Sequence, residues 1–142
     1  MGGLPTVLVL DGDVESGRRR AETLRQNGYD VVVSGQYEEA FRNIYGGRVR
    51  CTVIDSCVDG SGYRFALKLS CMRTTDRLPN IVYLRERSVD DLAIADLQVE
   101  TGRSGLNLEI LEEWATDREI LQAVNKTFGI CASAETPDVC LD

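Results

Sequence analysis

Short apolar runs alternate along this chain with segments in which apolar residues recur every three or four positions. The continuous runs are Val7–Leu10, Val31–Val33 and Ile81–Leu84, and Val49–Ile54, which contains Arg50 and Thr52, predicts one more strand. Runs of this length and composition are typical of strands buried on both faces of a sheet. A fifth segment differs, because Leu106, Leu108 and Ile110 alternate with polar residues. That alternation predicts a half-exposed strand at the edge of the sheet.

The segments between these strands predict helices, because their apolar residues share one helical face. Asp13 is a suitable N-cap for the first helix, and Thr116 with Glu119 forms a capping box for the last. Ser88 with Asp91 predicts a similar start for the fourth helix, whose apolar pattern is weaker. The predicted stripes are Val14, Gly17, Ala21 and Leu24; Tyr37, Ala40, Phe41 and Ile44; Tyr63, Ala66, Leu67 and Ser70; and Ile120, Val124 and Phe128.

Strands that alternate with helices predict an α/β fold with a doubly wound, five-stranded parallel sheet and helices on both faces. The chain has 142 residues, a length that suits one domain. We expect this domain to span residues 1–128 and residues 129–142 to form a loose, polar tail.

The third helix also carries a second stripe of Phe65, Leu69 and Met72, typical of core packing. If exposed, that stripe is a candidate surface for a partner or a dimer.

Composition restricts the function. The net charge is -7, which argues against nucleic acid as a partner, since such binding requires a basic surface. Histidine is absent, which excludes Ser/His and Cys/His catalysis. No apolar run suggests a signal peptide or a membrane span, so we expect a cytoplasmic protein. We also expect it to act by binding rather than as an enzyme. The five cysteines (Cys51, Cys57, Cys71, Cys131 and Cys140) are then expected to be reduced thiols.

Charged residues follow the predicted strands, at the edge where open parallel sheets bind ligands. Asp11 and Asp13 follow the first strand, Asp55 the third, Arg85 the fourth and Glu112 the fifth. Two carboxylates at neighbouring strand ends can hold Mg²⁺, and a carboxylate beside the metal can accept a phosphoryl group. The alternative is that these aspartates only end strands and cap helices.

The order of the motifs resembles the receiver domain of two-component response regulators. The resemblance is carried by Val7-Leu-Val-Leu-Asp-Gly-Asp13, by Thr52-Val-Ile-Asp55 with Ser61-Gly62-Tyr63, and by Pro79 before Ile81–Leu84. It implies a flavodoxin-like fold, Asp55 as the phospho-acceptor, and a histidine kinase or downstream signalling protein as the partner. It also implies Mg²⁺ on Asp11, Asp55 and the backbone carbonyl of Cys57, with Asp13 completing the acidic pocket.

Four departures from the receiver pattern suggest a degenerate variant. Gly12 stands where receivers carry a second acidic residue, and Arg85 where they carry the switch hydroxyl. Glu112 stands where receivers carry a lysine at the end of the fifth strand, and Glu109 stands at the position of their aromatic switch residue. We therefore expect Mg²⁺ to bind weakly, and Arg85 to lie within about 4 Å of Asp55 or Glu112 as a substitute cation.

Three hypotheses follow from these residues. The first is a pseudo-receiver of a phosphorelay that acts by protein–protein interaction with little dependence on phosphorylation. The second is a working phosphoprotein in which Asp55 is phosphorylated and Asp13 completes the metal site. The third, from another class, is a small doubly wound enzyme or anion-binding domain that uses Arg85.

The basic run Arg18–Arg20 predicts a solvated helix face, because successive helical residues diverge by about 100° and the three side chains do not form one patch. Kinase docking is the alternative.

Overall fold

The structure is a computed structural model that describes residues 4–55, 62–73 and 77–130. It contains a five-stranded parallel sheet in the order β2-β1-β3-β4-β5. Cys57 and the predicted tail from 131 onward lie outside the described residues. The elements are β1 (Thr6–Leu10), α1 (Val14–Gln26), β2 (Asp30–Ser34), α2 (Tyr37–Ile44), β3 (Val49–Ile54), α3 (Gly62–Ser70), β4 (Asn80–Arg85), α4 (Asp91–Arg103), β5 (Leu108–Glu112) and α5 (Asp117–Thr127).

Side chains alternate along each strand between two cores, one on each face of the sheet. Val7 and Val9 pack with Ala21 and Leu24 of α1 and with residues of α5. On the other face Leu8 packs with residues of α2, α3 and α4. The predicted α/β architecture, with helices on both faces, is therefore confirmed.

The ends of the helices follow local sequence rules, with one correction. Asp13 caps α1 by accepting the backbone N–H of Glu15, and Thr116 forms the expected capping box with Glu119. The predicted capping box of Ser88 with Asp91 is wrong, since the N-cap of α4 is Asp90, which accepts the N–H of Ala93. Asp90 is a good N-cap as well, and it lies one residue before the helix begins.

Two predictions of burial are also wrong. The run Val31–Val33 belongs to β2, which lies at an edge of the sheet, and the Val33 side chain is 38% exposed. Val14, placed in the buried stripe of α1, is 70% exposed because it begins the helix beyond the end of the sheet. β5 is the other edge strand, as its alternating pattern predicted. Among the described residues, no helix has the length and apolarity needed to cross a bilayer.

The hydroxyl of Thr52 provides a test of the packing at the centre of the sheet. Thr52 is fully buried between Leu8 and Ile81 on the neighbouring strands, and its Oγ1 has no hydrogen-bond partner among the described residues. An unpaired buried hydroxyl costs about 1–3 kcal/mol. We predict that Thr52→Val raises the free energy of unfolding by about 1 kcal/mol, measured by urea denaturation.

Thr101 is the matched control for this substitution. It is also buried, but its hydroxyl donates to the carbonyl of Leu97 at 3.0 Å. Thr101→Val should therefore lower the free energy of unfolding by roughly 0.5–1 kcal/mol. Equal effects of the two substitutions would contradict the assignment of Thr52 as unpaired.

Candidate functional site: a buried arginine between two aspartates

Asp11 and Asp55 meet at the carboxyl end of the sheet. They directly follow β1 and β3, which are hydrogen-bonded neighbours. The ladder continues to both residues, since the Asp55 N–H donates to the Leu10 carbonyl at 3.0 Å and the Asp11 N–H donates to that of Ser34 at 3.0 Å. Both are buried, with exposures of 3% for Asp11 and 8% for Asp55. The structure thus brings together the two acidic residues that the strand order predicts to be adjacent.

The cation between these carboxylates is Arg20 of α1. Its Nη1 donates to Oδ2 of Asp11 at 2.8 Å and to Oδ2 of Asp55 at 2.7 Å. The side chain of Arg20 is only 6% exposed, so both ion pairs are shielded from water. Buried pairs are screened far less than surface pairs, so this contact dominates the electrostatics of the pocket.

A close approach of α1 to β1 positions Arg20. A Cβ atom added to Gly17 would lie 3.3 Å from Cβ of Asp11 and 3.4 Å from Cγ1 of Val33. Glycine therefore lets the helix backbone lie against the strand ends. Arg20 is one turn further along the same face, which places its guanidinium over the pair of carboxylates.

Asp11 is further constrained by α1. Its Oδ1 accepts the backbone N–H of Asp13 at 2.9 Å, and its Oδ2 accepts the hydroxyl of Ser16. Asp13 is exposed and uses Oδ1 to cap α1 by accepting the Glu15 N–H at 3.0 Å. Asp13 therefore has a local structural role in the helix cap, while Asp11 belongs to the buried network.

The prediction that Arg85 pairs with Asp55 or Glu112 is wrong. The Arg85 guanidinium instead donates to Oδ1 of Asp91 at 2.9 Å and to the carbonyl of Val89 at 2.9 Å. The cause is the alternation of side chains along the strands. Asp55 faces α1, whereas Arg85 points to the opposite face, where α4 begins.

The other predicted switch positions do not join this network either. Glu112 is exposed and lies in register with Arg85, one residue beyond the level of Asp55. Glu109 is 3.7 Å from Nζ of Lys126 on α5. Leu84, fully buried in the α1–α5 core, lies level with Asp55. The β4 side of the pocket is therefore apolar.

Arg20 is a site residue that the sequence analysis does not predict, since the run Arg18–Arg20 predicts a solvated helix face. Arg18 and Arg19 are exposed, but Arg20 is buried. The position of Arg20 does carry a signal. It lies three residues after Gly17 and four before Leu24, which are both buried on the inner face of α1.

Comparisons with known proteins give the fold a name. The chain matches no protein-family model and no curated protein sequence. Solved receiver structures do match. A response regulator receiver domain from Clostridium thermocellum is 19% identical with a TM-score of 0.69, covering 89% of this chain and 95% of that one. A two-component response regulator from Clostridium difficile is 19% identical with a TM-score of 0.66, covering 89% and 97%. A CheY-like receiver domain from Methanospirillum hungatei JF-1 is 16% identical with a TM-score of 0.64, covering 89% and 94%.

This chain has the receiver fold. The fold family implies Mg²⁺ at the carboxyl end of the sheet, but the described residues do not fit it. A divalent cation would compete with Arg20 for the carboxylates of Asp11 and Asp55, and Gly12 supplies no carboxylate. The described residues contain no cluster of three His, Cys, Asp or Glu side chains arranged for a metal.

Burial raises the pKa of the Cys51 thiol to about 12, so this thiol is protonated at neutral pH.

The network predicts a large difference between two neighbouring arginines. Removing one partner of a buried ion pair leaves an uncompensated charge, so Arg20→Met should lower the free energy of unfolding by about 3 to 5 kcal/mol. Arg19 pairs with Asp117 of α5 at 2.8 Å, but its side chain is 60% exposed. Arg19→Met should therefore cost less than about 1 kcal/mol.

A double-mutant cycle separates the charge effect from lost packing. Asp55→Asn removes one of the two carboxylates, so it should recover part of the stability lost in Arg20→Met. Denaturant unfolding of the four proteins measures the coupling. A coupling free energy of zero would show that the ion pair of Arg20 with Asp55 does not stabilise the domain.

Proposed function

We propose that this protein is a receiver-type signalling module that binds partner proteins without phosphorylation of Asp55. It acts by binding rather than by catalysis. The observation that carries the proposal is the guanidinium of Arg20 between Asp11 and Asp55. The receiver fold of the solved relatives supports the signalling context.

A covalently attached cation makes a metal-dependent reaction unfavourable at this site. Arginine keeps its charge at all physiological pH values, so it does not leave the carboxylates by losing a proton. Mg²⁺ would have to displace it, and the displaced guanidinium would lose two short charge-assisted hydrogen bonds. Mg²⁺ binding should therefore be weak.

A phosphoryl group on Asp55 would also be poorly accommodated. The phosphoryl group carries roughly -1.5 to -2 charge, where the Asp55 carboxylate carries one, next to the buried carboxylate of Asp11. Leu84, level with Asp55, has no hydroxyl, and Glu112 brings negative charge to the end of β5. Among the described residues, Arg20 is the cation that pairs with Asp55, and it is already shared with Asp11.

A titration with Mg²⁺ and beryllofluoride tests the metal and phosphate part of this proposal. We predict that neither saturates the wild-type protein in the millimolar range, as measured by calorimetry and by the midpoint of thermal unfolding. Arg20→Gln, which removes the charge, should gain stability on addition of Mg²⁺ because two buried carboxylates then lack a cation. Saturable binding to the wild type that Asp55→Asn abolishes would support the working phospho-acceptor instead.

Partner binding gives the second test. Once partners have been identified by crosslinking to the wild-type protein, we predict that Asp55→Asn changes their dissociation constants by less than threefold. Asp11 still pairs with Arg20 in this variant, so the position of α1 is retained. A loss of affinity of tenfold or more, about 1.4 kcal/mol, would mean that Asp55 takes part in signalling.

A further inference from the structure

A groove with an aromatic floor lies between α2 and α3, away from the Arg20 network. It comprises two adjoining cavities of about 380 and 350 Å³. The ring centroids of Tyr37 and Phe41 lie 5.1 and 4.7 Å from that of Phe65. Nζ of Lys68 is 5.5 Å from the centroid of Phe41, and the exposed Glu38, Arg42 and Arg64 also line the groove. We call these seven residues the α2–α3 groove.

The groove carries a net positive charge in an acidic protein, because three cations and one acid line it. Residues 37–80 contain seven Lys and Arg against five Asp and Glu, although the net charge of the chain is -7. Residues 85–119 contain four Lys and Arg against ten Asp and Glu. The two segments therefore differ in charge, and the cations of the groove should attract an acidic surface.

The acidic segment, residues 85–119, carries a side chain that matches the groove. Trp114 is the only tryptophan of the chain and is 64% exposed in the turn between β5 and α5. Glu112 and Glu113 precede it directly. An exposed tryptophan beside acidic residues suits a pocket of aromatic rings and cations, since both stacking and cation–π contacts become available.

We infer that two copies of this chain associate head to tail, with Trp114 of one copy in the α2–α3 groove of the other. The carboxylates of Glu112 and Glu113 then lie near the basic rim of the groove, which includes Arg42 and Lys68. The inference is independent of the proposed function, because it uses neither Asp55 nor Arg20. Both halves of the contact are on one chain, which favours a second copy over an unrelated partner.

The contact is heterologous, because it joins different surfaces of the two copies. In such a dimer one copy retains an unoccupied groove and the other an unoccupied Trp114, so further copies can add. A contact centred on one side chain is small, and small interfaces are weak and transient. We therefore expect a mass that rises with concentration beyond that of a dimer, and that falls at high salt as the charges are screened.

Sedimentation velocity of the full chain, up to about 1 mM, measures this association. The emission of Trp114 should shift to shorter wavelength over the same range as the indole leaves water. Trp114→Ser and Lys68→Glu should each weaken self-association at least tenfold. Arg18→Glu is the matched control, because it makes the same charge change at an exposed position on α1 and should leave the association unchanged.

Mixing the two defective variants tests the head-to-tail geometry directly. Lys68→Glu retains the tryptophan and Trp114→Ser retains the groove, so the mixture should form a one-to-one dimer. Its emission, which comes only from the Lys68→Glu copy, should shift to shorter wavelength as Trp114→Ser is added. Circular dichroism confirms that both variants are folded.

Three outcomes would overturn the inference. A wild-type protein that is monomeric at all concentrations would mean that the groove and Trp114 do not bind each other. Association that Trp114→Ser abolishes but Lys68→Glu leaves intact would indicate a symmetric contact around Trp114. Defective variants that fail to restore association when mixed would exclude the head-to-tail contact.

Discussion

The ion pairs of Arg20 with Asp11 and Asp55 join α1 to the two central strands where an open parallel sheet usually binds its ligand. Two buried carboxylates at neighbouring strand ends require a cation. In this chain the cation is covalently attached to a helix, so its presence does not depend on the metal content of the solution. The same contact fixes α1 over the strand ends, and the pair of Arg19 with Asp117 joins α1 to α5.

Most of the fold could be predicted because it depends on local patterns. Runs of apolar residues mark strands buried on both faces, and stripes at helical spacing mark the covering helices. The exposure of β2 could not be predicted from its sequence, since Val31–Val33 reads like a central strand. Its place at the edge depends on the order of strands, which is a property of the whole sheet.

The site was predicted in part, and its cation was misassigned. Asp11 and Asp55 were found because each directly follows a predicted strand. The place of Arg85 after the neighbouring strand predicts its level in the sheet, but not the face of the sheet on which its side chain lies. Side chains one residue apart on a strand point to opposite faces, so Arg85 lies with Asp91 at the start of α4. Arg20 could have been found by extending the buried stripe of α1 through Gly17, Ala21 and Leu24.

An internal cation also changes what a receiver fold can respond to. A ligand shifts a conformational equilibrium only by its difference in affinity for the two states. Because Arg20 already pairs with both Asp11 and Asp55 and offsets one of their two charges, less binding free energy remains for a metal or a phosphoryl group to contribute at that end of the sheet. Under the proposed function, the difference must then come from contacts on the outer surface. The exposed Trp114 and the basic groove between α2 and α3 lie outside the Arg20 network, so they can bind a protein without disturbing those ion pairs.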